Sequence, residues 1–179
     1  MRTLNLADIP EEGLHLDWTE ERASLIPYLE TLSRIDFDFE GPLNAEVRVW
    51  KVGQSILLKG SVRTVLRLQC VRCLQEFSHP LSSMFDLTLH PLKETGLGEE
   101  TELNKEDMES GFFDGAEIHL SEIACEQVFL EIPCQPLCQE ACKGMCPLCG
   151  KDLNLGSCHC TRPESGSSFS VLQKLKPDA

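Results

Sequence analysis

Ten cysteines dominate the chemistry that this 179-residue chain could perform, and seven of them lie between residues 134 and 160. The strongest local motif is Cys146-Pro-Leu-Cys149-Gly, which is followed by Cys158-His-Cys160. In a CPxCG turn, proline and glycine shape the backbone so that two thiolates and nearby N–H groups converge on one ion. Zinc takes four ligands in a tetrahedron, so we expect Cys158 and Cys160 to complete a site with Cys146 and Cys149.

Two further cysteine pairs each provide half of a second site. Cys70-Val-Arg-Cys73 ends a predicted strand, and Cys138 and Cys142 follow a predicted helix. If the segment after the helix folds back over the strand end, one zinc ion would join parts of the chain about 70 residues apart. Four-thiolate sites leave no open coordination position, so both zinc ions would be structural.

Other partitions of these cysteines remain open at this stage. Cys138 or Cys142 could replace a member of the C-terminal group, and His159 could replace one of its two neighbours. The pair in the strand-end motif could instead be a redox-active CxxC, although such pairs usually lie at a helix N-terminus. Cys125 and Cys134 are predicted to be small core residues.

The elements that must position these thiols belong to an α+β fold. Residues 43–91 alternate between apolar and polar side chains, which predicts a curved antiparallel sheet with one buried face, curving toward a barrel. Short strands are predicted near residues 4–6, 14–16 and 35–39, with a part-helical stretch over 19–32 that Pro27 interrupts. Residues 121–132 predict a helix with Ser121 as its N-cap. We therefore expect a core domain over 1–133 and a cysteine-rich zinc module over 134–179.

Charge is distributed unevenly along the chain, whose formal net charge is −13. Residues 93–116 form an acidic stretch that predicts a mobile loop, whereas residues 41–92 hold six basic and three acidic residues. This locally basic segment supplies candidate contacts to RNA or a partner. The candidates are Arg48, Trp50, Lys51, Arg63, Arg67 and Arg72.

Several classes of function are disfavoured by the sequence. The net charge argues against a generally basic protein that coats phosphates. No apolar run is long enough for a membrane span, and the first residues lack the apolar region of a secretory signal, so we expect a reducing cytoplasm. No Ser-His-Asp order, glycine-rich phosphate loop or HExxH motif is present, and no small-molecule substrate is evident, so we expect no enzyme.

These motifs resemble the YceD-like family. The CxRC sequence at 70–73 is similar to the strand-end signature of the family, and CQEACKGMCPLCGKDLN at 138–154 with the later CxC is its most specific part. Residues 168–175 resemble the short helix that closes the family's chains. Some members keep the first four ligand positions and lack the CPxCG and CxC parts. The resemblance therefore implies two independent sites, with Cys70, Cys73, Cys138 and Cys142 in one and the remaining four in the other.

The resemblance also implies a function, because this bacterial and plastid family is associated with accumulation of large-subunit ribosomal RNA. We expect a non-enzymatic assembly factor for the large subunit, whose partner is a 23S rRNA precursor, a basic ribosomal protein, or both. Overall charge favours the protein partner, since an acidic body repels phosphates. The alternatives are a zinc-ribbon transcription module, which would need a basic ribbon, and a redox-active CxxC protein.

Overall fold

A computed structural model describes residues 2–31, 37–91 and 110–161 of the chain. The C-terminal helix predicted near residues 168–175 and most of the acidic stretch therefore lie outside the described residues. The strands are β1 (Thr3–Asn5), β2 (Leu14–Glu20), β3 (Phe37–Phe39), β4 (Leu43–Val52), β5 (Ser55–Gln69), β6 (Glu76–Pro91), β7 (Ser110–Phe113) and β8 (Glu117–His119). The helices are α1 (Arg22–Thr31) and α2 (Leu120–Glu131), and Leu6–Asp8 form one turn of 3-10 helix.

The main sheet contains the antiparallel meander that residues 43–91 predict. Its strand order is β2-β4-β5-β6-β7, and β3 pairs with the end of β5 beyond β4. The alternating pattern sets which face is buried. Val62, Leu66 and Leu68 lie on the inner face and are at most 2% exposed, whereas Arg63 and Arg67 between them point outward. The predicted α+β class is therefore confirmed.

The sheet does not close into a barrel, so the expectation of closure toward a barrel is wrong. Strands β2 and β7 lie at opposite ends of the strand order and do not pair. The inner face is covered instead by α1, α2 and the small β1–β8 ribbon. Leu25 of α1 and Val128 of α2 are fully buried in one half of the core, and Leu4 and Ile118 of the ribbon pack in the other. Because other elements bury this face, closure is not needed.

Three local predictions also need correction. Residues 110–113 of the predicted mobile loop form β7, which pairs in parallel with the end of β6. Helix α1 continues through Pro27, although proline removes one hydrogen bond of the helix backbone. Ser121 does not cap α2: His119 is the N-cap, and the buried Ser121 hydroxyl donates to the carboxylate of Glu20. In the described part of the chain, no helix has the length and apolarity to span a membrane.

Candidate metal centres

The end of strand β5 turns sharply to present the first pair of thiols. The N–H of Leu74 donates to the carbonyl of Cys70 at 2.9 Å, and the N–H of Cys70 donates to the carbonyl of Gln75 at 2.9 Å. Leu74 has a φ of +59°, the left-handed conformation that non-glycine residues rarely adopt. The turn therefore places Cys70 and Cys73 on one side of the strand end, with both side chains buried.

The second CxxC motif repeats this geometry. The N–H of Gly150 donates to the carbonyl of Cys146 at 2.9 Å, and the N–H of Cys146 donates to the carbonyl of Lys151 at 2.8 Å. Gly150 has a φ of +70°, so it occupies the position that Leu74 occupies in the first turn. The two motifs are thus the same type of knuckle. The sequence hides the first one, because leucine stands where the typical motif has glycine.

The segment after α2 folds back over the first knuckle and completes a group of four thiols. The N–H of Val71 donates to the carbonyl of Pro136 at 3.0 Å, which joins the two segments. The Sγ atoms of Cys70 and Cys142 are 3.8 Å apart, and those of Cys73 and Cys138 are 3.7 Å apart. All four sulfur atoms lie within 4.8 Å of one another.

These distances fit a tetrahedral metal ion with four thiolate ligands. A zinc–sulfur bond of about 2.3 Å in a regular tetrahedron puts its sulfur atoms about 3.8 Å apart. A disulfide would bring the two sulfurs to about 2.05 Å, whereas all these cysteines are free thiols. Four thiolates are one of the donor sets of structural zinc, so Cys70, Cys73, Cys138 and Cys142 could hold one ion.

The remaining four cysteines form a second group close to the surface. Cys146, Cys149, Cys158 and Cys160 also place their sulfur atoms within 4.8 Å of one another. The N–H of Leu148 donates to the Sγ of Cys146 at 3.5 Å, a contact that stabilises a thiolate. Cys146 is buried, but Cys149 and Cys160 are exposed. This group could therefore hold a second ion within a local loop.

Each group contains thiols with opposite pKa shifts. Burial opposes ionisation of Cys70, but the backbone N–H groups of Cys138, Cys73 and Arg72 together lower its pKa to about 6. Burial and the neighbouring thiols raise the pKa of Cys138 to about 12. Four adjacent thiolates repel one another, and a divalent cation removes this conflict. The electrostatics of the groups thus suit metal binding.

A short junction holds the two groups in fixed relation. Gly144, with a φ of +72°, lies between Cys142 and Cys146, and a Cβ atom there would be 2.9 Å from the carbonyl oxygen of Arg72. That same carbonyl accepts from the N–H of Met145 at 3.0 Å. The guanidinium of Arg72 donates to the carbonyl of Cys142 at 3.0 Å. The backbone and the side chain of Arg72 therefore both hold the Cys142–Cys146 segment against the first knuckle.

Asn154 links the second loop to the first group. Its Nδ2 donates to the Sγ of Cys142 at 3.3 Å, and its Oδ1 accepts from the N–H of Lys143 at 2.8 Å. Asp152 fixes the amide, since its Oδ1 accepts from Nδ2 at 2.8 Å. No sequence pattern predicts this role, although Asn154 closes the most specific stretch of the resemblance. A hydrogen bond to a ligand sulfur supports a metal site from outside.

Replacement of Asn154 by alanine should weaken metal binding at the first group, although the residue belongs to the second loop. We expect a loss of about 10- to 100-fold in affinity, as for other residues that orient metal ligands. Competition with a chelator of known affinity measures this change. Asn44→Ala, on the exposed face of β4, is the control and should leave both affinities unchanged. Equal affinities in all three proteins would remove Asn154 from the site.

The structure brings the eight predicted ligands together in the two sets that the resemblance implies. Neither Cys138 nor Cys142 joins the C-terminal group, and His159 is exposed and belongs to neither group. Cys125 is fully buried in the core as predicted, whereas Cys134 is exposed, which corrects its prediction as a core residue. Metal ligation by the eight thiols stays a prediction.

The basic candidate residues do not form a compact patch. Arg48, Arg63 and Arg67 are exposed on the outer face of the sheet. Arg67 pairs with Glu40 at 3.5 Å, and the same face carries Glu46. The outer face therefore has mixed charge.

The other two candidates lie at the end of strand β4. Lys51 is exposed there, close to the turn into β5. The ring of Trp50 is half-buried and lies directly against Gly13, where a Cβ atom would collide with it. Trp50 is thus held against the backbone, which does not favour stacking on a base. A role of these residues in binding stays a prediction.

A family model described as large ribosomal RNA subunit accumulation protein YceD matches residues 58–176. A chloroplastic protein of Arabidopsis thaliana, named large ribosomal RNA subunit accumulation protein YCED homolog 1, is 30% identical over 184 residues, which cover 91% of this chain and 57% of that protein. The protein of the same name from Zea mays is 29% identical over 158 residues, which cover 74% of this chain and 53% of the relative.

A bacterial relative extends the comparison. An uncharacterized protein of Mycobacterium leprae is 29% identical over 123 residues, covering 68% of this chain and 54% of the relative. The chain thus spans little more than half the length of these curated relatives. No solved structure matches the chain.

Proposed function

Because this chain belongs to the YceD family of large ribosomal RNA subunit accumulation proteins, we propose that it is a non-enzymatic, zinc-binding assembly factor for the large ribosomal subunit. It supports the synthesis, processing or stability of 23S rRNA by binding, in a reducing compartment that we propose is the cytoplasm. Zinc supplies no chemistry beyond structural cross-linking: it holds two segments of the chain together in one site and a local loop in the other.

Family membership carries the ribosomal part of this proposal, and the grouping of the eight thiols carries its structural zinc part. Each group offers four protein sulfurs to one ion, and a tetrahedral ion with four protein ligands has no position left for water or substrate. Catalytic zinc keeps such a position open, so these groups support a structural role. The two sulfur–sulfur distances in the first group match that geometry without further movement.

The charge of the molecule favours a protein partner over direct contact with RNA. The net charge is −13, and the arginines of the outer sheet face share that face with carboxylates. Phosphates are attracted by concentrated basic surfaces, which the described residues do not provide on that face. A basic ribosomal protein is therefore the partner we favour, and an rRNA precursor contacted through Arg48, Arg63 or Lys51 is the second candidate.

The charge of the cysteine-rich segment at 138–160 does not favour the transcription-module alternative. Between Cys138 and Cys160, two lysines, Lys143 and Lys151, are balanced by Glu140 and Asp152. Direct contact with duplex DNA would need a clear excess of positive charge there.

Depletion of the protein from cells, followed by quantification of both ribosomal RNAs, tests the proposed function. We expect 23S rRNA to fall at least twofold relative to the small-subunit rRNA, with recovery when the wild-type chain is supplied. A tagged copy should also be purified with and without ribonuclease. A ribosomal protein retained after ribonuclease supports the favoured partner, whereas proteins lost on ribonuclease treatment support RNA contact. An unchanged ratio of the two rRNAs in depleted cells would refute the proposed function.

A further inference from the structure

A groove of about 790 Å³ lies between helix α2 and the edge of the sheet formed by β6 and β7. It is on the opposite side of the molecule's sheet from the arginine-bearing outer face, since α2 packs on the inner face. Neither metal group contributes a residue to its lining. The groove is therefore separate from the metal groups and from the outer sheet face, and the proposed function assigns it no role.

The floor of the groove is apolar and partly open to solvent. Ile123 of α2, Leu89 of β6 and Phe113 of β7 line its base, while Leu130 of α2 is 78% exposed at its side. Apolar side chains that stay open to solvent along a groove often mark binding surfaces. These four side chains come from three different elements, so the fold builds one apolar strip from them.

Carboxylates surround this strip. Glu122 and Glu126 project from α2, and Asp114 and Glu117 project from the segment between β7 and α2. Among the described residues, no lysine or arginine forms an ion pair with any of the four. Burial and the neighbouring charge of Glu122 raise the pKa of Glu126. The repulsion between these carboxylates would be relieved by a cation placed between them.

We propose that this groove binds a segment of a partner protein rich in lysine or arginine, with apolar side chains on one face. Apolar residues of the segment contact Ile123 and Leu130, and its cations lie against Glu122 and Glu126. Charge complementarity of this kind steers association and selects the partner. RNA is disfavoured as the occupant because four carboxylates would face its phosphates. The inference deepens the proposed function, on which its biological meaning rests, by assigning the surface that grips a basic protein.

Binding of a defined peptide tests the chemistry of the groove. The probe is a fluorescein-labelled 15-residue peptide made of the repeat Lys-Lys-Leu, measured by anisotropy with the full chain. We expect the double variant Glu122→Gln/Glu126→Gln to bind it at least tenfold more weakly than the wild type. The control Asp17→Asn/Glu46→Gln removes two neighbouring carboxylates from the outer sheet face and should change the affinity less than twofold. Equal losses in both variants would overturn the proposal, because binding would then reflect net charge alone.

A second peptide tests whether the apolar floor of the groove contributes to binding. A peptide of the repeat Lys-Lys-Ser keeps the charge and loses the apolar side chains, so we expect at least tenfold weaker binding to the wild type. Similar affinities for both peptides would contradict a role for the apolar floor. A labelled 15-nucleotide oligouridine should bind the Glu122→Gln/Glu126→Gln variant no more weakly than the wild type, and weaker binding to the variant would make RNA the occupant.

Cross-linking in cells identifies the natural occupant. Gln127 lines the groove and is half-buried, so a photoreactive benzoylphenylalanine at this position would contact whatever lies there. We expect a cross-link to a lysine- or arginine-rich segment of another protein, reduced at least tenfold by Glu122→Gln/Glu126→Gln and unchanged by the control pair. A cross-link within the chain, to a second copy, or to RNA would overturn the inference, as would the lack of any cross-link. These failures leave the proposed function standing, because depletion tests 23S rRNA levels whatever the groove binds.

Discussion

Replacement of Cys70 by serine is expected to remove one zinc ion per chain, leave the other in place and destabilise the core. Cys70 is fully buried and directly follows strand β5, while Cys142 in the same group lies 72 residues further along the chain. A cross-link that closes a loop of this length restricts the unfolded chain by about 4 kcal/mol. Loss of the first site should therefore lower the free energy of unfolding by on the order of 4 kcal/mol.

Metal content by mass spectrometry and denaturant unfolding measure the two parts of this result. Cys134→Ser is the matched control, because Cys134 is exposed and outside both groups, so its effect should be within about 0.5 kcal/mol. Cys158→Ser should remove the other ion and spare the core, since the second group closes only a local loop. A Cys70→Ser protein that retained two zinc ions would refute the partition of the ligands.

Replacement of Gly144 by alanine is expected to destabilise the protein by about 2–3 kcal/mol and to speed metal release from both groups. Gly144 adopts a φ of +72°, which costs a non-glycine residue about 1–2 kcal/mol. The added Cβ would also lie 2.9 Å from the carbonyl oxygen of Arg72, which must move and weaken its hydrogen bond with Met145. Because Gly144 stands between the two groups, one backbone shift disturbs both.

Gly53→Ala separates the two contributions. Gly53 has a φ of +65° in the turn between β4 and β5, but a Cβ there meets no atom within 4 Å. Its loss of stability should therefore be about 1–2 kcal/mol, from backbone conformation alone. Denaturant unfolding compares the two variants, and a zinc-sensitive dye follows metal release. Equal losses of stability would show that the contact with Arg72 has no role in joining the groups.

Much of the site could be predicted from local patterns because its chemistry depends on local turns. The CPxCG sequence alone predicts the turn that brings its two thiols together. The CxxC sequence at residues 70–73 has the same cysteine spacing, so it predicts a second pair of ligands. The pairing of that motif with Cys138 and Cys142 depends on where the segment after α2 lies. That position is set by long-range contacts such as Val71 to Pro136, so the residues alone predict this pairing only as one of several partitions, and the resemblance favours it.

The errors in the fold have similar causes. Alternation along β5 correctly separates Leu66 from Arg67, since a period of two is a local property. Closure of the sheet depends on the whole fold. No local pattern predicts that α1, α2 and the β1–β8 ribbon cover the inner face. Ser121 looks like a helix cap in isolation, but Glu20, 101 residues away, takes its hydroxyl instead. The sequence does not predict strand β7, because only four residues pair with β6 and the residues before them are polar and acidic, which is typical of a loop.

The central claim is that two separate four-thiolate zinc sites hold this protein in the form that binds its partner. Native mass spectrometry of the full chain, purified under reducing conditions without added metal, tests it most directly. The account predicts one species with two zinc ions per chain, which becomes a one-zinc species in either Cys70→Ser or Cys158→Ser. A wild-type chain with fewer than two zinc ions, with iron and sulfide in their place, or with intact disulfides would contradict it.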